Sequence, residues 1–107
     1  MIEKRFEFTV SEGKVIEKII DEDAVALNHM ILPKGDRLPE HFSNAPVYMI
    51  VSKGTVTLQL NEQPAHVYNE GSIINIPYNV KMNVTNEHDP ILELFVVKAP
   101  GPKSYKK

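Results

Sequence analysis

Gly35-Asp36-Arg37-Leu38-Pro39-Glu40-His41-Phe42-Ser43-Asn44-Ala45-Pro46-Val47-Tyr48-Met49-Ile50-Val51-Ser52-Lys53-Gly54 and, after a gap of sixteen residues, Gly71-Ser72-Ile73-Ile74-Asn75-Ile76-Pro77-Tyr78-Asn79-Val80-Lys81-Met82-Asn83-Val84-Thr85-Asn86 decide the fold. Each stretch sets short apolar, β-branched runs between glycines and prolines, a pattern of short strands joined by tight turns. Gly35 follows Pro33-Lys34, Gly54 follows Lys53, and Gly71 follows Asn69-Glu70. At such places a positive φ or a tight turn is expected, and only glycine adopts it without strain. Pro77 closes the run Ser72–Ile76, where a missing N–H does no harm.

The same texture extends outward. Strands are expected over Arg5–Val10, Val15–Ile20, Val25–Leu32, Val47–Ser52, Thr55–Asn61, His66–Tyr68, Ser72–Ile76, Val80–Thr85 and Ile91–Val97. In Thr55–Asn61 the alternation is clean, with Val56, Leu58 and Leu60 on one face and Thr57, Gln59 and Asn61 on the other. One segment competes as a helix: Val15, Ile16, Ile19 and Ile20 have helical spacing behind Ser11, a candidate N-cap. Its run of β-branched residues loses rotamer freedom in a helix, so it reads as a strand. Many short strands with regular turn signals predict an all-β sandwich or barrel. No linker or repeat divides the chain, which is expected to be one domain over residues 1–107, with 99–107 as a proline-broken tail.

The balance of residues excludes several classes of function. Twelve basic and fourteen acidic residues give a formal net charge of -2, which argues against a nucleic-acid partner. There are no cysteines, so disulfides, thiolate-bound metals and thiol catalysis are excluded. The apolar runs are too short to span a bilayer, and Met1-Ile2-Glu3-Lys4 opens no signal peptide. The expected setting is cytoplasmic, with no membrane partner.

The two stretches that opened this section resemble the paired motifs of the cupin superfamily, G-x5-H-x-H-x3–4-E-x6-G and G-x5-P-x-G-x2-H-x3-N. The first maps onto Gly35, His41, Ser43, Val47 and Gly54, and the second onto Gly71, Pro77, Asn79, Met82 and Asn86, with every spacing kept. The resemblance implies a small jelly-roll β-barrel, a double-stranded β-helix, whose motif core is 35–86. It also implies a homodimer, since small single-domain cupins commonly pair through their sheets.

In metal-dependent cupins, the two histidines and the glutamate of the first motif and the histidine of the second hold one divalent ion. Here those positions read His41, Ser43, Val47 and Met82. One imidazole, a hydroxyl, an aliphatic side chain and a thioether do not make a site for a first-row divalent ion. No cofactor is therefore expected. One alternative is a relocated transition-metal site: His29 shares the parity of Val25, Leu27 and Ile31, and if that face points inward, His29, His41 and Met82 form a soft set. Against it stands the plain reading of His29 as a strand residue and Met82 as core.

The register places His41, Ser43, Val47, Met49, Val51, Met82 and Val84 inside the barrel. Val47, Met49 and Met82 give apolar walls, with polar groups from His41, Ser43 and Asn86, so these six are the candidate ligand-binding residues. Such walls suit a small-molecule pocket, and equally a solid core. His41 is either a ligand anchor or a histidine satisfied within the wall. Glu40 and Tyr48 fall on the opposite face, and His66 and His88 lie near turns. No nucleophile–base pair or other catalytic set is legible. The expected function is binding of a small, partly apolar ligand, with little or no catalysis. The alternatives are a metalloenzyme of dioxygenase or isomerase type built on His41 and His29, and a structural or regulatory dimer with a filled barrel.

Overall fold

A computed structural model describes residues 2–105. Nine strands run in the order β1 (Val15–Asp21), β2 (Ala26–Pro33), β3 (His41–Phe42), β4 (Val47–Lys53), β5 (Thr55–Leu60), β6 (His66–Asn69), β7 (Ile73–Ile76), β8 (Lys81–Thr85) and β9 (Ile91–Lys98), followed by the single helical turn α1 (Pro102–Tyr105). They form a five-stranded sheet ordered β1-β2-β9-β4-β7 and a four-stranded sheet ordered β3-β8-β5-β6. Every named pairing is antiparallel. The jelly-roll expectation holds.

The turn glycines behave as their setting requires. Gly35, Gly54 and Gly71 have φ of 88°, 79° and 92°. At Gly54 a Cβ would also collide with the Ile91 carbonyl, so both conformation and space demand glycine there. Between the sheets, Leu32, Val47, Met49, Val51, Val56, Leu58, Ile76, Met82, Val84, Leu92 and Leu94 are buried in one cluster. Val47, Met49 and Val51 alternate with exposed Tyr48 and half-buried Ile50, as the pleat dictates. The isoleucine-rich β1 is a strand, and its register slips between Lys18 and Ile20.

His41–Phe42 forms a short strand where none was expected, and other expectations change as well. Arg5–Val10 joins no ladder. It crosses the outer face of the five-stranded sheet, where Phe8 packs on the rings of His29 and Phe95 at 4.8 and 5.0 Å. There Thr9 donates its N–H and its hydroxyl to the Glu17 carboxylate, and these bonds stand in for ladder bonds. The segment 99–107 is more than a tail, because Gly101 is buried, its N–H donates to the Asp23 carbonyl, and Pro102–Tyr105 is helical. Of the basic residues near the end, Lys106 and Lys107 lie outside the described residues. Finally, β9 runs one residue further than expected, and that residue is Lys98.

Candidate functional site

Among the inward-facing residues a cavity of about 50 Å³ remains. Its walls are built from strand faces that point inward: Val47 and Met49 from β4, Met82 from β8, Asn28 and Met30 from β2, and Val96 and Lys98 from β9. His41, Ser43 and Leu38 close it from the β3 side. Five of the six candidate ligand-binding residues therefore meet around one space.

His41 pairs in register with Met82 and is exposed at the mouth. Its Nδ1 donates to the Pro39 carbonyl at 2.8 Å, which leaves Nε2 with no hydrogen bond among the described residues. Ser43 plays another part. Its Oγ donates to the Pro77 carbonyl at 2.6 Å and accepts the Val80 N–H at 2.9 Å, while its backbone bonds Asn79 and Val80. It therefore pins the segment before β4 to the turn before β8, and its one O–H is already committed.

Asn86 is not part of this space. It is fully buried, its Nδ2 donates to the carbonyls of Leu32 and Asp89 at 2.8 and 2.9 Å, and its Oδ1 accepts the N–H groups of His88 and Asp89. The expectation that it binds ligand is corrected: a side chain with all its polar atoms holding a turn has none to offer.

The relocated metal site is corrected as well. The faces of β2 are the reverse of the parity it assumed, with Asn28 and Met30 inward and His29 outward. His29 is fully buried, its ring in a mutual cluster with those of Phe8 and Phe95, with Nδ1 at 2.8 Å from Glu17 Oε2 and Nε2 at 2.7 Å from Glu93 Oε2. Both ring nitrogens are thus engaged by carboxylate oxygens, and neither is left for a metal. The Glu17 carboxyl is held below the ordinary carboxylate range, first by the Thr9 N–H and then by His29. His29, His41 and Met82 are thus not one ligand set. At the family's own metal positions, His41 offers one nitrogen, Ser43 is tied to backbone, and Val47 and Met82 supply no hard donor. These residues do not fit a divalent ion. Among the described residues no group of three or more His, Asp or Glu side chains is placed to hold one.

Two polar lining residues escaped the sequence reading. Asn28 was hidden because β2 is apolar on both faces, so alternation did not say which face was inner. Lys98 lay just past the expected end of its strand, although Leu92, Leu94 and Val96 already set its parity. Its Nζ donates to Asn44 Oδ1 at 2.9 Å. Burial, then the like charge of Lys18, holds Lys98 below the usual lysine range, with Asp21 opposing.

No protein-family model matches the chain. It is 48% identical, over 104 residues, to an uncharacterised protein of Methanocaldococcus jannaschii, covering 96% of this chain and 90% of that one. The crystal structure of that protein, described as an RmlC-like cupin family protein with a double-stranded β-helix fold, superposes with a TM-score of 0.96 at 46% identity over 100% of this chain and 99% of that one. A cupin superfamily protein from Desulfitobacterium hafniense matches with a TM-score of 0.72 at 8% identity, over 87% and 83% of the two chains. A cupin-like protein from Thermotoga maritima matches with a TM-score of 0.72 at 18% identity, over 94% and 81%. These last two are likenesses of fold alone.

Proposed function

The chain belongs to the cupin superfamily, and from that premise we propose that it is a ligand-binding barrel, taking a small, partly apolar molecule at the His41 mouth without the divalent ion other cupins hold there. The observation that carries this reading is where the packing stops. Leu32, Leu58, Ile76, Leu92 and Leu94 are fully or almost fully buried, whereas a cavity remains beside His41, Met49 and Met82. Apolar walls with a few convergent polar atoms are the usual make-up of a small-molecule site. The methionines suit it, since an unbranched thioether adapts to varied shapes. A volume of about 50 Å³ takes one or two water-sized groups, so only a short part of the ligand is buried and the rest occupies the mouth.

The test is a titration of methionine-methyl-labelled protein with a library of small alcohols, amides and acids, followed by NMR. Shifts concentrated at Met49 and Met82, weakened by His41→Ala, are expected. A library that leaves both methyls unmoved would overturn the reading.

We further propose that the working unit is a homodimer formed through the outer face of the five-stranded sheet. Tyr48 is 44% exposed and Ile73 66% exposed on this face, beside half-buried Ile50. Apolar groups gathered on a strand face are a common mark of an interface. Light scattering should give twice the chain mass, falling to one chain in Tyr48→Asp/Ile73→Asp; a monomeric wild type would refute it.

A further inference from the structure

Asn28 and Lys98 border both the barrel cavity and a groove of about 240 Å³ beyond it, so they form the sill between the two. Register sets Lys98 beside Ala26 on one neighbouring strand and Val47 on the other. It occupies an inward position of a strand whose other inward residues, Leu92, Leu94 and Val96, are buried. Partial burial of an ammonium costs solvation, and an aliphatic residue would fill this position without that cost.

The groove's charges do not cancel. Lys18, Lys98, Lys103 and Asp21 line it, and Asp21 is already matched by Lys103 at 3.9 Å. Among the described residues no carboxylate is within ion-pair distance of Lys18 or Lys98, and the one hydrogen bond of Lys98 goes to the neutral amide of Asn44. An ammonium has three donors, so Lys98 keeps capacity for a further acceptor. A cationic spot at the mouth of an apolar cavity, on a chain of net charge -2, is complementary to an anion with an apolar end.

We infer that the ligand of the barrel is a small organic monocarboxylate, its carboxylate received at the sill by Lys98 with Lys18 adding charge, and its short apolar chain entering the cavity towards Met82. This assignment rests on the ligand-binding reading above and adds the chemical class. Charge-assisted hydrogen bonding at a half-buried ammonium gives the carboxylate its preference over a neutral head. The cavity volume limits the buried chain to a few carbons.

The experiment compares butyrate, 1-butanol and inorganic phosphate on the full chain by NMR, following the Met49 and Met82 methyls and the Asn28 and Lys98 amides. Butyrate should move both sets and bind at least about fivefold more tightly than 1-butanol. Lys98→Gln should bring butyrate to no more than the affinity of 1-butanol for the same variant, and Lys98→Arg should retain the preference. Equal binding of butyrate and 1-butanol, insensitive to Lys98→Gln, would overturn the carboxylate assignment and leave the ligand cavity standing. If phosphate moves the Lys98 amide while neither four-carbon probe reaches Met82, both this assignment and the cavity reading fall.

Discussion

His29 is fully buried with each ring nitrogen against a carboxylate, whereas His41 is exposed with Nδ1 on a backbone carbonyl and no second hydrogen bond among the described residues. Both are histidines on strands of one small barrel. Around His29 the polar atoms are paired among themselves under the ring of Phe8, and such a set stabilises the fold. Around His41 the walls are apolar, the packing is incomplete and polar capacity is left over. The contrast teaches that a residue's chemistry is available to a ligand only where its neighbours have not already used it.

The sharpest way to break the comparison is His29→Ala. Removing the partner of two carboxylates beneath an aromatic cover should cost about 3–5 kcal/mol, read from urea unfolding near neutral pH. A loss below about 1 kcal/mol would mean the cluster is not the structural centre described here. Asn86→Ala comes next, at about 2–3 kcal/mol, because it strands buried donors and acceptors of the turn. Its binding of any cavity ligand should be unchanged, and a lost affinity would return Asn86 to the site. Phe8→Ala should cost about 1 kcal/mol by removing the edge contact to Phe95 and the cover of His29, measured by the same unfolding curves.

Acid sharpens the same contrast. The Glu17 carboxyl is held low in the folded chain, so its contribution is present above the ordinary carboxylate range and is lost as the pH falls through the lower, folded value. The Thr9 amide should lose hydrogen-exchange protection over that acid window before the core strands do, and simultaneous loss would show that the strap does not open separately. The smallest effect is expected for His41→Ala, within about 0.5 kcal/mol in stability, since an exposed side chain with one hydrogen bond carries little of the fold. A stability loss comparable to that of His29→Ala would erase the distinction between the two regions.

The strands were legible because their cause is local. Val47, Met49 and Val51 alternate with Tyr48 and Ile50 whatever lies opposite them, and Gly54 needs its positive φ for the turn itself. Much of the cavity was legible too, since His41, Ser43, Val47 and Met82 sit at motif spacings that a resemblance can carry, and Met49 follows Val47 by alternation. Asn86 also sits at a motif spacing, yet it holds a turn. Spacing marks a position in the barrel, and only contacts decide what the side chain does there.

By itself, the chain's order of residues determined an all-β barrel, its turn glycines, the inner faces of β4, β5 and β8, and the lack of hard donors at the family's metal positions. Those follow from backbone sterics, period-two alternation and side-chain chemistry, which act within a few residues. The tertiary structure alone decided that His29 faces outward, that Glu17 and Glu93 meet it from neighbouring strands, and that residues 5–10 cross a sheet instead of joining it. It also brought Lys98 and Asn28 to the mouth of the cavity. Each of these depends on which strands become neighbours, and β2 lies between β1 and β9, partners far apart along the chain. Where both faces of a strand are apolar, alternation cannot choose the inner one, and that choice falls to the packing of the whole barrel.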